Sequence, residues 1–444
     1  MLKKVLAAFL VAWLGAIVYV SVAHAEIKVT EGAAFRLRQE IWDDVVGLDI
    51  TRTGSSADRN FFRLRYQVWA RADFDPNFGV YLRLAGEPKY HIGPFRVNPQ
   101  GSKYEENELL FDNLYFDAKN VFGLPVDLRI GRQDFIGTFG EGFLIMDGTP
   151  GDGSRTFYFN AAKATVKIND KNNFDLVYIT DTTRDIYMPV IHTPQKVQLN
   201  TSNEQAFVVY GRSKVTENIT VEPYYMYKQE NEFGTTPKLK LNTVGARAVV
   251  SLGSGWKFGG EFATQFGDYD DGGKWDDRTG NGGYIFVGRK YENVGLKPEF
   301  DLRFVYLSGD DKGTTDKNET FDPLFSRNPY WNELLVYTLI PEQGIAGYWT
   351  NLEILKASVK LNFSPATALN LAYQYLWAPE KSGLTSAMFG TGKERGHLPT
   401  AIMTHKFSKN LDGMLQLEYF IPGSFYADKA DNATFFRWQL QYKI

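Results

Sequence analysis

Residues 61–90 read FFRLRYQVWARADFDPNFGVYLRLAGEPKY, and the fold follows from how this stretch alternates and where it turns. Val68, Ala70, Ala72 and Phe74 interleave with Arg71 and Asp73. Successive side chains of a strand point to opposite faces, so the segment has one apolar and one polar face. Asp75-Pro76-Asn77-Phe78 breaks the pattern with turn chemistry, and a second long arm follows over 79–90. Both arms far exceed the about 5–6 residues of a typical soluble strand. They match the roughly 9–11 tilted residues that cross a bilayer.

The same reading extends along the chain. Phe300, Leu302, Phe304 and Tyr306 alternate with Glu299, Asp301 and Arg303, and Phe436, Trp438, Leu440 and Tyr442 alternate with Arg437, Gln439 and Gln441. Eighteen segments are predicted: 33–42, 61–74, 79–90, 108–118, 126–136, 155–168, 173–181, 205–215, 219–228, 242–252, 256–267, 283–291, 298–307, 351–363, 368–377, 398–407, 414–421 and 433–443. Segments 108–118 and 283–291 fit least well, because Asp112 suits neither face and Gly288 interrupts. Short turns alternate with longer polar loops, notably 43–60, 91–107, 137–154, 182–204, 268–282, 308–350 and 378–397. An even strand count with loops sorted by length is the pattern of outer-membrane barrels. Lipid cannot hydrogen-bond a free strand edge, so the sheet must close. The expected fold is all-β: one closed antiparallel transmembrane barrel of about eighteen strands, with short periplasmic turns, long extracellular loops and both chain ends on the periplasmic side.

Composition agrees. The 444 residues include 33 Phe, 25 Tyr and 9 Trp, a heavy aromatic load, yet no cysteine. That excludes a disulfide framework and thiol chemistry. With 49 Lys+Arg against 52 Asp+Glu the net charge is −3, which argues against a nucleic-acid binder working through a basic surface. Lys3 and Lys4 precede an apolar run from Val5 to Val22, and Ala23-His24-Ala25 fits a cleavage site. Residues 1–25 are therefore expected to be a cleaved signal peptide, with 26–444 forming the barrel in the outer membrane of a Gram-negative-type bacterium.

If the apolar face meets lipid, the polar face lines the lumen. Alternation puts Arg36, Arg38, Arg63, Arg65, Arg71, Arg83, Arg129, Arg247, Arg303 and Arg437 there, with Lys163, Lys167, Lys257, Lys356 and Lys360. The acids on that face are fewer: Glu40, Asp73, Glu87, Asp127, Glu222, Glu261, Glu299, Asp301 and Glu418. A basic wall enclosed by lipid attracts anions, and guanidinium forks onto carboxylates. The plainer reading is that barrel interiors are polar anyway and the charges neutralise one another across strands.

Several stretches resemble the alginate-export porin family. They are Glu108–Asp117, the Leu128-Arg129-Ile130-Gly131-Arg132-Gln133 element, Ser154–Phe157, and Ser308-Gly309-Asp310-Asp311 leading to Phe321-Asp322-Pro323-Leu324-Phe325. The resemblance implies an eighteen-stranded monomeric barrel whose arginine-rich constriction passes a polymer of uronic acids. Carried over, it marks Arg129, Arg132 and Arg303 as constriction residues. It also implies a long periplasmic turn near the C-terminus, whereas Ser408–Gly413 is short here.

Chemistry is sparse. His91, His192, His397 and His405 are isolated, with no metal-ligand spacing, and no G-x-S-x-G elbow is present. The sequence therefore points to a non-enzyme without cofactor or metal: a channel for anionic solutes or an anionic, alginate-like polysaccharide. The expected partners are outer-membrane lipid and lipopolysaccharide, the solute, and periplasmic secretion partners, but no nucleic acid. Two alternatives stay open: a non-selective diffusion porin, and a barrel-borne hydrolase with His405 as the in-strand candidate. The loop 308–350 is the candidate constriction or lid.

Overall fold

The computed structural model describes residues 27–50, 58–92, 103–105, 109–146, 158–189, 191, 200, 202–232, 237–271, 274–326, 331–338, 342, 347–384 and 387–444. The expected leader and His192 lie outside them. The described residues form eighteen barrel strands: β1 (Lys28–Asp43), β2 (Arg59–Asp75), β3 (Phe78–Gly86), β4 (Leu109–Ala118), β5 (Val126–Gln133), β6 (Phe159–Asn169), β7 (Asn172–Asp181), β8 (Glu204–Thr216), β9 (Ile219–Glu230), β10 (Lys238–Ser251), β11 (Trp256–Asp271), β12 (Lys274–Lys290), β13 (Glu299–Leu307), β14 (Leu352–Asn362), β15 (Thr367–Trp377), β16 (Glu394–Lys406), β17 (Leu411–Pro422) and β18 (Ala433–Lys443). Each pairs antiparallel with its chain neighbours, and β1 pairs with β18, from Ala34 opposite Lys443 to Asp43 opposite Thr434. That last ladder removes the free edge.

The first of the two awkward segments has a local explanation. At β3–β4 the register slips between Arg83 and Leu84, so that Arg83 faces Asn113 while Leu84 faces Phe111. Asp112 is the extra residue of this bulge, and both Asp112 and Asn113 are buried. In β12, Gly282 gives the room the strand needs, because a Cβ there would meet the Phe321 ring at 2.4 Å. The predicted loop 268–282 is a correction: β11 continues to Asp271 and β12 begins at Lys274, so the hairpin rises as paired strand.

The outer wall is apolar and exposed, with Phe35, Leu64, Val68, Phe207, Phe262, Ile285, Phe300 and Leu417 all pointing outward. Water-soluble monomers rarely expose so many large apolar side chains, whereas a lipid-facing wall requires them. The inner wall is mixed. Along β6–β9 the inward residues Phe159, Val177, Ile179, Val208, Tyr210 and Met226 are buried and apolar. They are covered because loop residues fold into the lumen. Phe135 stacks on Phe159 at 4.6 Å, Phe139 meets Tyr210 edge-on at 5.0 Å, and Phe143 stacks on Phe321 at 5.5 Å.

Candidate functional site

Two loops fold into the lumen. From the β5–β6 connection, residues 134–146 run along β6, β8, β10 and β12. From the β13–β14 connection come Phe321, Leu324, Phe325 and the short helix Leu334–Thr338. They are joined to each other: the Phe325 amide donates to the Leu144 carbonyl at 2.9 Å, and the Ser326 hydroxyl donates to the Gly142 carbonyl at 2.6 Å. The second loop is docked by the wall. Glu418 accepts from the Glu333 and Leu334 amides at 3.1 and 2.8 Å, Asn332 donates to Gln374 at 3.2 Å, and Lys356 donates to the Trp331 carbonyl at 3.1 Å. The predicted constriction loop thus folds inward, together with a second loop that sequence alone marked only as long.

Wall β18–β1–β2 carries the densest positive charge. In the β1–β2 ladder Arg36 lies directly opposite Arg65, and Arg38 directly opposite Arg63. Like charges in directly facing positions destabilise a sheet. Arg437 of β18 stands beside them, facing Glu40. Two buried carboxylates serve this group. Glu40 takes Arg437 at 2.8 Å, Arg38 at 3.2 Å and Arg63 at 3.7 Å; Glu87 takes Arg36 at 2.5 Å and Arg63 at 2.9 Å. Gln439 accepts from Arg38 at 2.8 Å. Arg65 makes no hydrogen bond or ion pair among the described residues, and the buried Nε of Arg36 has no acceptor.

Elsewhere most of the lumen arginines are matched, whereas Lys163, Lys257 and Lys356 make no ion pair among the described residues. Arg83 meets Asp112 at 2.9 Å and Asp134 at 3.3 Å. Arg129 meets Asp117 at 2.7 Å. Arg247 reaches Glu222 at 3.1 Å and Glu141 at 3.6 Å, and Arg303 reaches the same Glu141 at 2.6 Å. Arg437 also takes Glu333 of the inserted loop at 2.5 Å. Lys360 sits at the periplasmic end, half exposed, 3.7 Å from Glu299. Loop carboxylates therefore offset much of the arginine excess read from alternation, and the arginines left crowded together are those of β1 and β2.

Arg132 is a correction. Its side chain and that of Asp185 are both 0% exposed, and they form a bidentate pair at 2.8 Å. Facing Leu114, Arg132 ties the β7–β8 loop to the barrel and is closed to any passing solute. The site residues that sequence reasoning missed are Asp112, Asp117, Asp175, Arg212, Glu141 and Glu333. Arg212 pairs with Asp175 at 2.9 Å, but its strand reads Ala-Phe-Val-Val-Tyr, apolar on both faces, so alternation gave no signal.

The remaining chemistry lies away from the bore. His405 meets the Thr367 hydroxyl at 2.8 Å on the face of the exposed Met403, which is the outer wall. At the extracellular rim, Asp43, Asp44 and Asp58 bring carboxylate oxygens within 4.8 Å of one another, as do Asp44, Asp49 and Asp431. Burial, then the charges of Asp43, Asp58, Asp49 and Asp431, push Asp44 up to about 6.

A closed barrel with two loops folded into its lumen is the architecture of a porin-like channel, and the sequence carries the matching signature. A family model described as alginate export matches residues 28–439, nearly the whole chain. The chain belongs to the alginate export family. Solved porins share its architecture. Pseudomonas aeruginosa OccK11 (OpdR) superposes with a TM-score of 0.56 at 12% identity, over 94% of this chain and 96% of that one. A BenF-like porin from Pseudomonas fluorescens Pf-5 gives 0.57 at 9%, over 94% and 98%. Pseudomonas aeruginosa OccK2 (OpdF) in complex with glucuronate gives 0.57 at 11%, also over 94% and 98%. At these identities the likeness is one of fold. No curated protein sequence matches the chain. Family and fold together are those of an outer-membrane channel.

Proposed function

We propose that this member of the alginate export family is a passive, anion-favouring channel of a Gram-negative outer membrane, and that its solutes are carboxylated sugars, free or in a chain. The supporting observation is the face formed by Arg36, Arg65, Arg38 and Arg63, where guanidinium groups oppose each other in register with only Glu40 and Glu87 among them. Such opposition costs stability in an empty wall and is relieved by a transient anion. Guanidinium pairs with carboxylate in two parallel hydrogen bonds, and several weak sites in series let a solute enter and still leave. The glucuronate bound in OccK2 is a fact about that barrel, and it supports the uronate class for this one.

The turn between β16 and β17 spans residues 407–410 and offers no material for a periplasmic plug. Selection on this reading rests with the two inward loops and the arginine wall. The test is flux of glucuronate against glucose through proteoliposomes holding the full barrel, beside reversal potentials in a salt gradient. The expected result is faster glucuronate entry and a potential of the sign set by chloride. Equal flux of both sugars with a potential near zero overturns the reading in favour of a non-selective porin.

A further inference from the structure

Alternation along β12 sends Tyr284 and Phe286 into the barrel, where both are buried, and Ile285, Val287 and Arg289 to the other face. That face is the lipid wall: Ile285 is 66% exposed, and Phe258 and Phe300 on the adjoining strands are 40% and 51% exposed. Arg289 is in register with Trp256 of β11 and with Phe300 of β13. A guanidinium therefore stands on the hydrocarbon-facing side. It sits at the end of β12 next to the turns 253–255 and 291–298, which belong to the periplasmic set.

The group is held in place and left without a counter-charge. Its guanidinium carbon lies 4.7 Å from the Trp256 ring centroid and 4.3 Å from that of Tyr291. A ring lying over a guanidinium covers its plane and leaves N–H groups at its edge free to donate. Arg289 makes no hydrogen bond or ion pair among the described residues, and its Nε is buried without an acceptor. The neighbouring cation Lys290 is already committed to Glu292 at 2.7 Å. An unpaired charge beside hydrocarbon is strongly disfavoured, so its partner has to come from the membrane. At this depth the membrane supplies phosphodiesters, whose two anionic oxygens match the guanidinium fork.

We infer that Arg289, packed against Trp256 and Tyr291, is a binding site for the phosphodiester of a phospholipid in the periplasmic-side leaflet. The site is on the outer wall and owes nothing to the bore. The guanidinium edge donates in the plane to the phosphate, while Phe258, Ile285 and Phe300 carry the upper acyl chain.

The test uses the full barrel refolded in detergent, titrated with phosphatidylglycerol and followed by native mass spectrometry. The expected result is one phospholipid retained under activation that strips the rest, with Arg289→Gln weakening retention about tenfold, the scale of a lost charge-assisted pair. Inorganic phosphate at the same concentration is expected not to displace it. Diacylglycerol, which has the chains without the phosphate, is expected not to be retained by the wild-type barrel. That comparison holds even if Arg289→Gln does not reach the folded form on a heat-modifiable gel. Equal retention by Arg289→Gln, equal retention of diacylglycerol, or displacement by free phosphate each overturns the inference.

Discussion

Replacing Arg65 by Gln isolates the charge that the channel reading depends on. Arg65 lies opposite Arg36, with no ion pair among the described residues, while Glu87 is engaged by Arg36 and Arg63. Its removal strands no buried acid, unlike removal of Arg437 or Arg38 beside Glu40. A unit charge about 4 Å from a passing anion contributes about 1 kcal/mol at the dielectric of water, and several times that in a drier bore. The lower value is about a fivefold change in anion occupancy. Arg65→Gln should therefore lower the chloride-to-potassium permeability ratio at least about fivefold, read as a shift of reversal potential toward zero in planar bilayers. The shift should persist near 0.1 M salt, where the screening length is about 10 Å, and shrink near 1 M, where it is about 3 Å. Thermal stability should not fall, since one of two facing like charges is gone. An unchanged permeability ratio, with the barrel folded and conducting, refutes the assignment of selectivity to this wall.

Glu141 carries the opposite sign: it bridges Arg247 and Arg303 from the inserted loop, so Glu141→Gln should raise anion preference by a comparable factor in the same measurement. Arg132→Gln should leave the permeability ratio alone but cost about 3–5 kcal/mol in urea unfolding, because it leaves the buried Asp185 carboxylate unpaired. At the extracellular rim, Asp44 holds its proton up to about pH 6 against an ordinary value of 3.8. The folded form then binds the proton more tightly, so the contribution to stability is full below that ordinary value and is lost as pH rises through about 6. The melting midpoint should show that fall over the same window, and Asp44→Asn should lack it.

Much of the wall was legible because lipid imposes a rule that each strand obeys by itself. A residue such as Phe300 or Leu64 faces hydrocarbon whatever the rest of the barrel does, so two-residue periodicity located seventeen of the strands to within five residues at each end, residues 155–157 of the predicted 155–168 lying outside the described residues. The eighteenth, β12, began nine residues earlier than predicted. Its early part carries Asp276, Asp277, Gly280 and Gly282, polar and small residues that read as loop. They are held as strand by the facing β11 and accommodate Phe321 of the inserted loop. Asp112 was unreadable for a related reason, since a bulge resets the parity and exists only through the register of two chains.

The site was less legible than the wall. Resemblance and alternation singled out Arg129, Arg132 and Arg303, and the folded barrel gives each an acid: Asp117, Asp185 and Glu141. Glu141 and Arg303 are 162 residues apart, and no local pattern joins them. The arginines left under-compensated were ordinary members of the alternation, distinguished only by which residue the next strand set opposite them. Sequence alone determined the class of surface each strand presents, because burial against lipid or water is decided one side chain at a time. Tertiary structure decided which charges remain available, because neutralisation is a pairwise matter of a few ångströms, set by strand register and by where two distant loops come to rest.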